Sequence, residues 1–345
     1  MDLVHEGPEP QLKEKSIKRS RTETQEKTES RRESKENPLK RKDNTLPLKK
    51  RPVPQHDQTV EKRRASKTQN GGKFFNRYIL GKLLGKGGFG SVYAGIRKAD
   101  GEKVALKFIN KYEEYPYTTL PGDTQRLPLE VALMELVSKP PHCPYVIKLL
   151  EWFETPKIVI LVLERPEPCV DLFEYCEDVK ISENKAQVIM QQIVNAARHC
   201  RDRGVIHRDI KDQNILINPQ TLDVKLIDFG CGDLLKDTPY TEYSGSQDYE
   251  PPEWIIEKKY EAEPATVWGL GIFLYTLLHG AEPFNGPQEI VNGHLDFPSN
   301  LSEASCSLIE WCLQRNPKRR PTLEQILTHH WFWRHVNEKQ QNKSI

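Results

Sequence analysis

The chain has little of what membrane-spanning, secreted or zinc-stabilised proteins are built from. No apolar run in its 345 residues approaches the length of a membrane span or of a signal peptide's hydrophobic region, so a soluble intracellular protein is expected. The seven cysteines include no C-x-x-C pair and no histidine at metal-ligand spacing, which argues against structural zinc. Their odd number fits free thiols, packed or half-buried, in a reducing compartment. No internal repeat is visible.

Residues 1–70 also lack Phe, Trp and Tyr, and carry 19 Lys and Arg against 12 Asp and Glu. A segment so polar cannot bury enough apolar surface to offset its ordering entropy, so a disordered basic tail over 1–72 is predicted. Of the chain's 51 basic and 49 acidic side chains, 32 and 37 then fall in the remainder. A net charge of +2 therefore hides a tail of +7 joined to a folded part of −5. Lys40-Arg41-Lys42 and Lys49-Lys50-Arg51-Pro52 read equally as a nuclear import signal or as a solvated linker. With no aromatics among these charges, specific nucleic-acid binding is not expected.

What is present is concentrated chemistry. His207-Arg208-Asp209-Ile210-Lys211-Asp212-Gln213-Asn214 is followed by Asp228-Phe229-Gly230. At that spacing Asp209 can accept or orient the proton of an attacking hydroxyl, and Lys211 can offset charge on a transferring phosphoryl. Asn214 and Asp228 offer the hard oxygen ligands that Mg²⁺ prefers. His-Arg-Asp alone is also an ordinary loop with a surface ion pair; the gap to Asn214 and the later Asp-Phe-Gly make that remote.

Upstream, Gly85-Lys86-Gly87-Gly88-Phe89-Gly90-Ser91-Val92 lies between strand-like flanks, Tyr78-Ile79-Leu80 and Val92-Tyr93-Ala94, as a hairpin that could lie over phosphates. A lone glycine pattern is weak, and a dinucleotide fold is its main rival. Here Val104-Ala105-Leu106-Lys107 follows on the next predicted strand, and no helix opens at the third glycine of the pattern. Lys107 is the candidate for the α- and β-phosphates of a nucleotide. A carboxylate must hold it: Glu130 or Glu135, on the helical run Leu129-Glu130-Val131-Ala132-Leu133-Met134-Glu135-Leu136-Val137 with its stripe Leu129, Leu133, Leu136, Val137.

Over 77–333 these motifs resemble a eukaryotic Ser/Thr protein kinase domain, and several stretches are similar to the PIM family. Those are Leu163-Glu164-Arg165-Pro166-Glu167-Pro168, Lys225-Leu226-Ile227-Asp228-Phe229-Gly230, Leu234-Leu235-Lys236-Asp237-Thr238, Pro251-Pro252-Glu253-Trp254, Val267-Trp268 and Leu270-Gly271-Ile272. The resemblance implies an α+β bilobal fold: an antiparallel lobe over about 77–163 with one main helix, a hinge at 164–169, a helical lobe over about 170–333, and a C-terminal tail, 334–345. Helical periodicity at 185–202 and 266–278, and a last helical run at 322–330, agree.

The resemblance favours Glu130 as the partner of Lys107 and implies an ATP site formed by Leu84, Gly85, Gly87, Gly88, Phe89, Gly90, Val92, Ala105, Lys107, Leu163, Glu164, Pro166 and Leu216. At Pro166 a backbone donor to adenine is missing, because proline has no N–H. Asp171, Glu174 and Asp212 would meet basic substrates, with arginine three residues before the acceptor preferred. Arg320 would pair with Glu253. Cofactors ATP and Mg²⁺, Ser/Thr protein substrates and a monomer in the cytoplasm, with nuclear access left open, are expected.

Thr266 stands where most kinases place an Asp that braces the catalytic loop, as in PIM-like chains. Gln213 replaces an expected Glu, and Ala281 and Asn285 replace expected acids, which relaxes the expected basic preference. Thr238, Tyr240, Thr241, Tyr243, Ser244 and Ser246 are candidates for a phosphate paired with Arg208, although PIM-like kinases are active without that switch. Cys169 beside the hinge and Cys231 after Asp-Phe-Gly could meet a ligand. In the tail, Lys62-Arg63-Arg64-Ala65-Ser66 reads equally as a self-phosphorylation site at Ser66 or as a basic linker read by no kinase. The alternative class is a pseudokinase scaffold, which usually lacks one of Lys107, Glu130, Asp209, Lys211, Asn214 or Asp228; all are present.

Overall fold

The structure, a computed structural model, describes residues 71–333 with the exception of Phe89. The expected disorder of the tail, the basic clusters, Ser66 and the C-terminal tail lie outside the described residues. So does Phe89 as a nucleotide contact.

The described chain opens with a short helix that periodicity did not reveal, α1 (Gly71–Arg77), so ordered structure begins before the expected boundary at 77. β1 (Tyr78–Gly87) and β2 (Gly90–Arg97) form the glycine-loop hairpin, and β3 (Lys103–Asn110) follows. Between β3 and the next helix lies a two-stranded ribbon that periodicity did not reveal, β4 (Tyr117–Thr119) and β5 (Arg126–Pro128). Then come α2 (Leu129–Val137), β6 (Leu149–Glu154) and β7 (Ile158–Glu164), completing an antiparallel sheet of order β1-β2-β3-β7-β6.

Period-2 alternation gives this sheet two different faces. Val104 and Leu106 of β3 and Ile160 and Val162 of β7 point one way, under α1, where Phe74 is fully buried against Tyr78 and Phe153. Ile109, Leu161 and Leu163 belong to the other face, whose core also holds α2.

Beyond the hinge lie β8 (Val170–Asp171), α3 (Leu172–Asp178), α4 (Glu183–Asp202), β9 (Val205–Ile206), β10 (Ile215–Ile217), β11 (Val224–Leu226) and β12 (Asp233–Leu234). Helices α5 (Pro252–Glu257), α6 (Ala262–His279), α7 (Pro287–Asn292), α8 (Glu303–Cys312) and α9 (Leu323–Thr328) follow. The apolar stripe read in α4 is its buried face: Ala186, Ile189, Met190, Ile193, Ala197 and Cys200. Ser182 caps α4 by accepting from the Lys185 amide, and Gly280, at φ 86°, ends α6. α6 is buried along most of its length, as its nearly continuous apolar sequence predicts.

Among the described residues no helix is long and apolar enough to cross a membrane. The seven cysteines are free thiols.

Candidate active site

Strand β3 places Lys107 opposite Leu161, one residue from Leu106, so its side chain leaves the sheet on the face away from α1. There its Nζ meets Glu130 Oε1 at 2.5 Å and Asp228 Oδ1 at 2.8 Å. Glu130 sits in the first turn of α2 and is buried, whereas Glu135 accepts a hydrogen bond from the Trp152 indole at 3.2 Å, which leaves it a structural role. Of the stripe read in α2, Leu133 and Val137 are fully buried and Leu129 and Leu136 partly so. Burial alone would depress the Lys107 pKa, but the charges of Glu130 and Asp228 outweigh it and raise it, so the lysine stays cationic. Burial would likewise raise the Asp228 carboxyl; Lys107 and the Gly230 amide, which donates to Oδ1 at 3.0 Å, hold it below its ordinary value.

Both loops that carry the chemistry use uncommon backbone. Arg208 (φ 67°) and Asp228 (φ 63°) adopt left-handed conformations at a cost in strain that the packing around them must offset. Phe229 is buried against the His207 ring, centroids 4.8 Å apart. His207 Nε2 donates to the Ile227 carbonyl at 3.0 Å and its Nδ1 accepts from the Asp209 amide at 3.3 Å, so the residue before Asp228 and the catalytic loop are tied through one neutral imidazole. Burial lowers its pKa.

The Asp209 carboxylate is held from three directions. Asn214 donates its amide nitrogen to Asp209 Oδ2 at 2.7 Å and to the Asp209 carbonyl at 2.8 Å. Lys211 Nζ stands 3.1 Å from Oδ2. Ser246 donates its hydroxyl to Oδ1 at 2.7 Å and its amide at 3.1 Å, while accepting from Lys211 at 2.6 Å. Ser246 appeared in the sequence only as one of several candidate phosphate carriers; the structure puts it inside the constellation. Its 37-residue separation from Asp209 left no local signal that would have picked it out.

Arg208, the candidate partner of an activation-segment phosphate, donates to the carbonyls of Cys231 (2.5 Å) and Gly232 (2.9 Å) and lies 3.5 Å from the Asp233 carboxylate. Asp233 was not singled out in the sequence. Thr266 turns its hydroxyl to its own helix, donating to the Ala262 carbonyl at 2.8 Å. Cys231 is buried and Cys169 half-buried.

The nucleotide wall follows the expected residues. Leu84 is exposed on β1; Val92, Ala105 and Leu216 are half-buried; Leu163 pairs with Ala105 across the sheet. Gly85, Gly87 and Gly88 have open space where a Cβ would stand. Gly90 differs: at φ 147° a Cβ would fall 2.1 Å from the Phe108 carbonyl oxygen, so only glycine closes this hairpin. At the hinge, Glu164 turns its carboxylate to Lys225 (2.7 Å) and the Lys148 amide (2.9 Å), and Pro166 is half-buried.

Asp171 caps α3, accepting from the Glu174 amide at 2.7 Å; Glu174 and Gln213 are exposed and Asp212 half-buried. The predicted pair is present: Arg320 makes a two-pronged, buried contact with Glu253, at 2.7 and 2.6 Å, tying α5 to the end of the domain.

A paired lysine and glutamate, a carboxylate at a loop base and an Asn–Asp couple beneath a glycine hairpin define a phosphoryl-transfer site between a sheet lobe and a helical lobe. Residues 78–332 match the protein kinase domain family model, and the chain belongs to that family. Within it the chain is similar to the serine/threonine-protein kinase pim-2 of Danio rerio, 43% identical over 77% of this chain and 88% of that protein. It is 38% identical to the serine/threonine-protein kinase prk-2 of Caenorhabditis elegans, over 75% of this chain and 59% of the nematode protein. Against ppk6 of Schizosaccharomyces pombe identity is 33% over 74% of this chain and a third of the yeast protein. The chain is a PIM-like serine/threonine protein kinase.

Proposed function

We propose that this kinase transfers the γ-phosphoryl of ATP to Ser or Thr in basic segments, with arginine at the third position before the acceptor, and needs no phosphate on its own activation segment. The observation that carries the reading is the joint geometry of Lys107, Glu130, Asp228 and Asp209. A pseudokinase scaffold would have no use for a Lys107 ammonium within 2.8 Å of both Glu130 and Asp228, with Asp209 held by Asn214 and Ser246.

The donor set fits Mg²⁺. Both hydrogens of the Asn214 amide are spent on Asp209, which leaves its Oδ1 to face a cation. Asp228 spends Oδ1 on Lys107 and Gly230, leaving Oδ2. Two hard oxygens suit an ion that takes its remaining ligands from phosphate and water. Such an ion would neutralise charge on the phosphates. In this reading Lys107 holds the α- and β-phosphates and Lys211 offsets charge near the transferring group. Asp209 orients the acceptor hydroxyl.

Independence from activation-segment phosphorylation is supported by Arg208, whose donors are already taken by two carbonyls and whose charge is met by Asp233. Asp171 and Glu174 support the arginine preference, since both sit at the start of α3 next to the hinge. Residence in the cytoplasm, with nuclear entry through the basic clusters, and a monomeric state complete the proposal.

Asp209→Asn and Asp228→Asn should each lower kcat on an arginine-containing peptide by about 10²-fold or more while leaving the melting temperature nearly unchanged. Near wild-type turnover by both variants overturns the assignment.

A further inference from the structure

Of the chain's 12 tyrosines, all among the described residues, Tyr112 alone is exposed, at 64%. It lies in the connection that follows β3, and the next two residues, Glu113 and Glu114, are exposed carboxylates. The turn is closed by a backbone bond from the Tyr115 amide to the Tyr112 carbonyl at 3.1 Å. So lightly bonded a segment opens at small cost, and a tyrosine followed by two acids suits a cleft lined with Arg or Lys. Its neighbours are held instead: Tyr115 and Tyr117 are half-buried, and the Tyr117 hydroxyl accepts from Lys111 at 3.1 Å and donates to Glu154.

Tyr112 also borders a cavity of about 450 Å³ between the glycine hairpin and the start of α2, which it shares with Lys86, Gly87, Gly88, Asn110 and Tyr115. Its ring meets that of Tyr115 edge to face, centroids 5.5 Å apart. Tyr115 in turn lies beside the buried Lys107–Glu130 pair, since burial first and then the Glu130 charge raise its pKa. Position 112 is thus at the rim of the nucleotide site without belonging to the residues that hold the nucleotide. Lys86, exposed on the hairpin, has no ion-pair partner among the described residues, whereas Lys111 is taken by Glu154 at 2.9 Å.

We propose that Tyr112 is a modification site: a separate, acid-preferring tyrosine kinase phosphorylates it, and the phosphate captures Lys86 and weakens ATP binding. In that step the Tyr112 Oη attacks the γ-phosphorus of the partner enzyme's ATP. The new O–P bond forms as the bridge to the β-phosphate breaks, ADP leaves with that electron pair, and the phenolic proton passes to the partner's base. The phosphate adds about −1.5 to −2 charges and three acceptor oxygens to the rim of the cavity. Pairing with Lys86 draws the hairpin off the nucleotide, and the added charge repels the nucleotide's own phosphates. The effect on ATP rests on the kinase reading above; the modification itself does not.

The test treats the full chain, carrying Asp209→Asn so that it cannot act on itself, with ATP, Mg²⁺ and a purified acid-preferring tyrosine kinase, and maps phosphotyrosine by mass spectrometry. Tyr112 should carry most of the phosphate, and Tyr112→Phe should lose it. Glu113→Gln with Glu114→Gln should slow the modification about tenfold. By calorimetry with a non-hydrolysable ATP analogue and Mg²⁺, Kd should rise about fivefold on phosphorylation, the scale of an exposed charge interaction. In Lys86→Ala the modified and unmodified forms should agree within about twofold. Phosphate carried mainly by other tyrosines overturns the proposal. Equal Kd for the two forms, or a full fivefold rise that persists in Lys86→Ala, overturns the role given to the phosphate. Failure of the unmodified chain to bind the analogue would sink the kinase reading, and the effect on ATP with it.

Discussion

Burial leaves His207 no room to carry a proton, and that sets a pH dependence of stability. In the unfolded chain the imidazole titrates near its ordinary value of about 6.5, whereas in the fold its pKa is lowered. Between those values the unfolded state binds more protons, so stability is complete above pH ~6.5 and falls as pH drops toward the folded value. Removing the group should remove the slope. His207→Phe, which keeps the packing on Phe229 but loses the bond to Ile227, should be less stable at pH 7.5 by roughly 0.5–1.5 kcal/mol. It should lose less on going to pH 5.5 than the wild type does. Urea titrations at the two pH values read this directly; equal losses would show that His207 is not the titrating group. Pro166 makes a second residue-scale case. Without a backbone N–H it can give a hinge ligand no hydrogen bond, so adenine would keep the bond to the Glu164 carbonyl alone. Pro166→Met should raise the affinity of a two-point hinge inhibitor by about fivefold, one neutral hydrogen bond, measured by calorimetry. A compound anchored on Lys107 should gain nothing, and no gain for either would mean a neighbouring amide already serves.

At the scale of elements, legibility followed the range of the forces. Helix α4 announces itself because its buried residues recur at helical spacing, and the catalytic loop because its chemistry is packed into eight consecutive positions. α1 does not. Gly71-Gly72-Lys73-Phe74-Phe75-Asn76-Arg77 has glycines at its start and is too short for a period, and a helix of seven residues is not stable alone. It is held by tertiary contact: Phe74 meets Tyr78, Phe108 and Phe153 at centroid distances of 5.4 to 5.6 Å. The ribbon β4–β5 was invisible for the same reason, each strand being three residues long. The contacts of Ser246, Asp233 and Glu183 left no sequence signal because their partners are distant along the chain; Glu183 receives hydrogen bonds from Ser302 and Trp331, more than a hundred residues away. Phe74→Ala should therefore cost about 3–5 kcal/mol, as for a large buried ring, whereas the exposed Phe75→Ala should change stability by less than about 0.5 kcal/mol. Denaturant midpoints at constant m-value make the comparison, and equal effects would mean that α1 does not cap the sheet in solution.

For the molecule as a whole the unequal division of charge matters more than its sum. On the proposed preference for basic substrates, the −5 carried by residues 71–345 would draw cationic peptides toward a cleft whose expected recognition side chains, Asp171, Glu174 and Asp212, are acids, while the +7 of residues 1–70 carries the opposite sign. Attraction between exposed charges fades over a Debye length, about 10 Å at 0.1 M salt and shorter above it. KM for an arginine-rich peptide should thus rise several-fold between about 50 and 300 mM NaCl, with kcat nearly constant, since Lys107, Glu130 and Asp209 are buried where salt screens little. Gln213→Glu adds an exposed acid beside Asp212 and should steepen that rise while lowering KM at low salt. A chain lacking residues 1–70 should bind the peptide more tightly still at low salt, because its net charge goes from +2 to −5. Initial-rate measurements on the three proteins across the salt series distinguish the terms. A KM that stays flat with salt in all three would mean that peptides are chosen by close contacts alone.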